Sequence, residues 1–232
     1  MPRRARLEVP GVPLHVTQRG VNRGAVFVDD DDRGHYLQLL AEVAEAGSVA
    51  IHAYVLMGNH VHLLVSAAEA GAVSAALRRL GQCYVQGFNR RHRRTGPLWE
   101  GRFRSCLVDS DSYVLAVYRY IELNPLRAAL VDAPERYRWS SVHGNLALTI
   151  DPVLTPHASF AALAAGPAER AGAYRQWLMA GTDAAELTAI RRHLAQERAL
   201  GSLRFQRMVE ETLGRPVALR SRGRPARSDS GV

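Results

Sequence analysis

Apolar and polar positions alternate along LHVTQRG (14–20), the pattern of a strand with one buried face, and the run closes on a glycine. The period then changes. Behind Asp29 to Asp32, an apolar stripe at Tyr36, Leu39, Leu40 and Val43 recurs at helical spacing and stops at Gly47. That predicts a helix whose aspartates cap its N-terminus and complement its dipole. VAIHAYVLM and HVHLLVS follow as two strands joined by Gly58-Asn59, a two-residue hairpin signal. In that register Met57 pairs with His60 and Val55 with His62. One sheet face then carries Ile51, Ala53, Val55 and Met57 beside two histidines. Residues 72–94 predict a helix with an arginine-dense C-terminal end, and a short strand follows around Arg104 to Val108. DSYVLAVYRYIELNP predicts a helix that begins near Ser110, has Asp109 and Asp111 near its start, and ends at Pro125.

The order is strand, helix, strand, strand, helix, strand, helix. Its first six elements match the split βαβ pattern, which predicts an α+β fold with a ferredoxin-like antiparallel sheet and helices on one face. After about residue 150 the chain turns to alanine-rich helical segments. The expected organisation is a catalytic domain over 1–148, a helical C-terminal extension over 149–214, and a basic disordered tail over 215–232. That last stretch holds five arginines between 215 and 227 and few apolar residues.

Charge points to the partner. The formal net charge is +8, which suits a polyanion, nucleic acid foremost. All 30 basic residues are arginine. Arginine favours bidentate phosphate contacts, but a GC-rich genome gives the same bias, so the charge counts as evidence and the identity of the base does not. Two cysteines, Cys83 and Cys106, are too few for a disulfide framework or a four-cysteine zinc site and read as free thiols. Glu8 and two prolines interrupt any signal-peptide core at the N-terminus, and no run reaches the roughly 18 apolar residues of a membrane span. The expectation is a cytoplasmic, nucleoid-associated protein with no membrane partner.

The candidate chemistry lies in two pairs. In a strand, His60 and His62 point to the same face. On a helix, Tyr120 and Asn124, four residues apart in YRYIELNP, also share a face. Two imidazoles and an amide oxygen can hold a divalent metal, and a nearby phenol is a nucleophile. A metal would polarise the phosphoryl group under attack and stabilise the charge that develops. Tyr118 and Glu122 have the same spacing on the opposite side of the helix, and glutamate is the better magnesium ligand. Residue chemistry alone leaves both pairs open, beside the plainer reading that both tyrosines are aromatic core.

HVTQRG, MGNHVHLLV, GPLWEGRFRS, YRYIELNPLRAALV and YRWSS at 137–141, in this order and spacing, resemble the IS200-like single-tyrosine, HUH-type transposases, specifically the REP-associated tyrosine transposase branch. The resemblance covers roughly residues 14 to 141. It implies a ferredoxin-like fold, metal ligands at His60, His62 and Asn124, and Tyr120 as the catalytic nucleophile, with Tyr118 and Glu122 left to packing and solvent roles. It also implies Mg2+ or Mn2+ as cofactor. The implied activity is cleavage of single-stranded DNA beside a REP-like hairpin through a 5′-phosphotyrosine, by a monomer in preference to a homodimer. DNA contacts are expected at Arg90, Arg91, Arg93, Arg94, Arg102 and Arg104, with Trp99 and Phe103 as stacking candidates. Arg222 and Arg224, in the AT-hook-like RGRP, are expected to contact phosphate or the minor groove. Two rivals are a catalytically inactive, domesticated hairpin-binding protein and a phosphodiesterase in which water attacks.

Overall fold

The computed structural model describes residues 6–110 and 113–220. Strands β1 (Leu14–Arg19), β2 (Val49–Met57), β3 (His60–Ala67) and β4 (Arg104–Leu107) form one sheet in the order β2-β3-β1-β4, with every neighbouring pair antiparallel. Helix α1 (Asp30–Ala46) links β1 to β2, and α2 (Ala72–Arg91) links β3 to β4. This is the ferredoxin-like split βαβ arrangement, in an α+β fold.

Strand parity divides the core. Leu14 and Val16 of β1, Tyr54 and Leu56 of β2, and Val61, Leu63 and Val65 of β3 pack with Tyr36, Leu40, Leu77, Leu80 and Tyr84 from α1 and α2. Residues of opposite parity face the other way. Ala53, Val55, Met57, Leu64 and Cys106 meet α3 (Val114–Glu122) through Val117, Tyr118 and Ile121. Helices α1 and α2 thus cover one face, and α3 covers the face that carries the histidines.

The hairpin pairs Met57 with His60 and Val55 with His62, as its two-residue turn predicts. Ile51 departs from expectation. The register shifts between Ile51 and Ala53, so a bulge at His52 moves Ile51 to the α1/α2 side. The His52 ring is held there, Nδ1 to the Thr155 carbonyl at 2.8 Å and Nε2 to Ser66 Oγ at 2.8 Å.

Helix α3 is shorter than its sequence pattern. It starts at Val114 rather than near Ser110 and ends at Glu122, with the chain restarting as α4 (Asn124–Arg127). Pro125 has no N–H to continue the α3 ladder, but it is well suited to the first turn of a new helix. Asp109, expected at the start of this helix, instead accepts the Ser202 backbone N–H and hydroxyl. Asp111 lies outside the described residues.

Beyond residue 140, α5 (Val142–Asn145), α6 (Ala158–Ala161), α7 (Pro167–Met179), α8 (Ala184–Gln196) and α9 (Leu203–Leu213) follow. They are fastened to the core by side chains from α3. Arg119 lies over the Trp177 ring and pairs with Glu186 at 2.8 Å. The end of this region contradicts the disordered tail expected from 215. Val217 is buried, its N–H donates to Glu210, and its carbonyl accepts from Ala199. One apolar side chain and the backbone bonds beside it hold residues 215–220 against the fold.

Isolated bridges flank both outer strands. Leu200 bridges Val108 beyond β4, while Ser140 and Leu154 bridge Val55 and Ile51 along β2. No described helix is long and apolar enough to cross a membrane.

Candidate active site

The face toward α3 gathers the polar side chains. Thr17 of β1 lies opposite His62, and Arg19 opposite His60. His15 faces Leu64 on one side and Cys106 on the other, while Arg104 pairs with Thr17. In an antiparallel sheet directly paired residues share a face, so His15, Thr17, Arg19, His60, His62 and Arg104 all look the same way. His15 sits diagonally from His62, and its Nε2 lies 3.0 Å from His62 Nδ1. Gly20 ends this strand where a Cβ would fall 2.2 Å from the Gly24 carbonyl oxygen, so the close turn beside the β2–β3 hairpin requires glycine.

Tyr120 of α3 closes over this group. Its ring centroid is 5.6 Å from that of His62 and 5.4 Å from that of His15, both edge-on. The His60 and His62 rings are 5.2 Å apart. From the other side, the Arg127 guanidinium lies over the Tyr120 ring at 4.6 Å and donates to the Tyr120 carbonyl. Arg127 Nη1 is buried and has no hydrogen-bond partner. Asn124, half-buried at the start of α4, precedes Arg127 by three residues and so shares its side of that helix.

These residues suit a divalent cation. Burial pulls His60 down to about 4, helped by the nearby Arg19, and holds His62 well below the ordinary histidine range. Both rings are therefore neutral at physiological pH and offer lone pairs. Nδ1 of His60 is engaged by Asn59 Oδ1 at 2.6 Å and Nδ1 of His62 by His15, which leaves Nε2 of each to ligate. Among the described residues, no three His, Cys, Asp or Glu side chains converge to hold a metal ion. A third protein ligand would have to be of another kind, as the Asn124 amide is.

The family model for IS200-like transposases matches residues 8–124, just over half of the chain. The chain belongs to the IS200-like transposase family. A structure of a REP-associated tyrosine transposase bound to a REP hairpin shares the fold, at a TM-score of 0.55 and 17% identity, over 68% of this chain and 93% of that one. A putative transposase from Deinococcus radiodurans R1 aligns at 18% identity over 59% of this chain and 98% of that one, with a TM-score of 0.37. No curated protein matches the chain.

In this transposase the rival pair on α3 lies elsewhere. Tyr118 is fully buried, stacked on Phe160 at 5.4 Å, and its hydroxyl accepts the His157 N–H. Glu122 is also fully buried and accepts from Ser141 Oγ, Asn145 Nδ2 and the Tyr174 hydroxyl, at 2.6, 2.6 and 2.7 Å. Burial raises its pKa despite those donors. Tyr118 takes the packing role implied for it. Glu122 does not take the solvent role, because three donors fold over it.

The candidate DNA-binding arginines divide. The loop after α2 runs beside the end of β1, where Gly20 bridges Trp99 and Glu100 donates to the Arg19 carbonyl. Arg102 follows in that loop, while Arg94 lies over the Phe88 ring at 5.5 Å and donates to the Pro97 carbonyl at 3.3 Å. Arg104 is exposed on the histidine face itself. Arg90 is exposed on α2, on the other side of the sheet. Arg91 is committed to Asp29, Asp31 and Asp32 at 2.6 to 2.8 Å, which corrects its assignment as a free DNA contact. The aspartate run does cap α1, Asp29 accepting the Asp32 N–H, and it ties α1 to α2 as well. Phe103 is buried under the Arg6 guanidinium, and Trp99 is partly buried against the α2 core, so neither is free to stack on a base as it stands. Arg222 and Arg224 lie outside the described residues.

Three members of the site were missed at the level of sequence: His15, Arg19 and Arg127. Strand parity carried a signal for the first two, since both alternate with Leu14 and Val16. Arg127 gave none beyond its place in the NPLR segment.

Proposed function

We propose that this transposase is a metal-dependent single-stranded DNA endonuclease and strand transferase of the REP-associated branch, acting beside a REP-like hairpin, with Tyr120 as its nucleophile. The observation that carries the reading is the Tyr120 ring, seated within 5.6 Å of both His15 and His62 and backed by Arg127. His60 and His62 would hold Mg2+ or Mn2+ through Nε2, and Asn124 through its amide oxygen. When bound, the ion supplies Lewis-acid polarisation of a phosphoryl oxygen. Tyr120 Oη attacks phosphorus, the bond to the 3′-oxygen breaks, and the phenol proton passes through solvent to the released 3′-hydroxyl. The product is a 5′-phosphotyrosine that conserves the phosphodiester for rejoining. Arg127 holds the phenol ring in place with a charge that burial lowers to a pKa of about 10, which leaves it cationic at neutral pH. Arg93, Arg94, Arg102 and Arg104 would guide the strand, and Arg222 and Arg224 would add phosphate contacts.

A monomer is favoured over a homodimer, since the outer side of β2 is already bridged by Ser140 and Leu154. The domain reading is a catalytic domain over 1–148, buttressed by the helices of 149–214. A protein acting on DNA in this way works in the cytoplasm, at the nucleoid.

Incubation with single-stranded hairpin oligonucleotides and Mn2+, resolved on denaturing gels, tests the proposal. A covalent protein–DNA band that EDTA abolishes is expected. Hairpin binding without any adduct would replace it with the inactive, domesticated reading, and cleavage that survives Tyr120→Phe would point to attack by water.

A further inference from the structure

The His15–His62 contact carries consequences for the metal site. His15 is fully buried, its Nε2 is 3.0 Å from His62 Nδ1, and its own Nδ1 is buried with no hydrogen-bond partner. One proton lies between the two facing nitrogens, and its owner decides what His62 shows to the cleft. If His15 donates, His62 Nδ1 is the acceptor and Nε2 carries the proton, so His62 cannot ligate. If His62 donates, its Nε2 lone pair is open and the His15 proton sits on Nδ1. A cation selects the second arrangement.

We propose that His15 is a positioning residue for the metal site, accepting the His62 Nδ1 proton so that the His62 ring is held with Nε2 toward the ion. The inference rests on the reading of His60 and His62 as ligands. Outer hydrogen-bond partners of this type fix the tautomer and orientation of a metal-bound imidazole. Here the partner is itself an imidazole, set two residues away diagonally across the β1–β3 pair, and the unpartnered Nδ1 is where its displaced proton goes.

Mn2+ titration of the full chain, without DNA, provides a readout independent of cleavage. His15→Leu removes the acceptor at similar volume and is expected to weaken Mn2+ binding by about 10- to 100-fold. His15→Gln restores an acceptor oxygen near the Nε2 position and is expected to stay within a few-fold of wild type. Equal losses in both variants would overturn the proposal in favour of simple packing, and wild-type affinity in His15→Leu would also overturn it. His62→Ala, run alongside, separates the two levels: wild-type affinity in that variant would overturn the ligand reading itself. Long-range 1H–15N spectra of the Mg2+-loaded wild type give an answer even if His15→Leu fails to fold. His62 protonated on Nδ1 is the expected tautomer, and protonation on Nε2 would sink the idea.

Discussion

Helix α3 carries two tyrosine–polar pairs of identical spacing, and the fold puts them in opposite environments. Tyr120 looks toward the sheet, onto His15 and His62, with Asn124 beyond the break at Leu123. Tyr118 is stacked on Phe160, and Glu122 is sealed beneath Ser141, Asn145 and Tyr174. Residue type alone favours Glu122 as the metal ligand. Burial decides against it, because a carboxylate that already satisfies three protein donors and lies out of contact with solvent is a structural anchor for the C-terminal helices. The half that reads as better chemistry is the half that holds the molecule together.

Breaking each half should give opposite phenotypes. Tyr120→Phe is expected to abolish the covalent DNA adduct and leave the melting temperature nearly unchanged, read on gels and by thermal melts of the same preparation. His62→Ala should likewise remove metal-dependent cleavage. On the other side, Glu122→Ala strands three buried donors and is expected to cost about 2–4 kcal/mol of stability in urea titrations. An adduct that still formed below its melting point would confirm the separation, and an unchanged urea midpoint would break it.

A subtler effect follows from Glu122 and pH. Its folded pKa is raised above the unfolded value by burial. In the window between the two, the folded state binds more protons than the unfolded state. Its contribution is therefore present below the unfolded pKa, near the ordinary carboxylate range, and declines as pH rises through the folded value. Glu122→Gln should flatten that decline in stability-versus-pH measurements, and a slope identical to wild type would contradict it. The smallest expected difference lies among the arginines. Arg104→Ala should weaken single-strand binding and reduce its salt slope by about one, whereas Arg91→Ala, which frees three aspartates, should act on thermal stability more than on binding.

How much of this was legible in the sequence follows from range. The hairpin register, the same-face placement of His60 and His62, and the aspartate cap of α1 depend on neighbours a few residues apart, and pattern alone conveyed them. The position of His15 depends on a pairing 47 residues distant. Glu122 looked like a solvent residue because its donors come from 19, 23 and 52 residues further on. The bulge at His52 escaped for the same reason: its imidazole is held by Thr155, 103 residues away. Arg91 reads as part of a basic cluster until α1 and α2 dock side by side. Within α3 the alternation is plain, but which face meets the histidines is a tertiary fact.

One measurement bears most directly on the choice between the two faces. Trypsin cuts after Arg119, so Tyr118 lies in the peptide that Arg119 ends and Tyr120 begins the next, through to Arg127. Digestion of a trapped protein–DNA adduct, followed by mass spectrometry, should find the nucleotide remnant on the peptide from Tyr120 to Arg127. A remnant on the peptide that ends in Tyr118 and Arg119 would contradict the assignment of the active face.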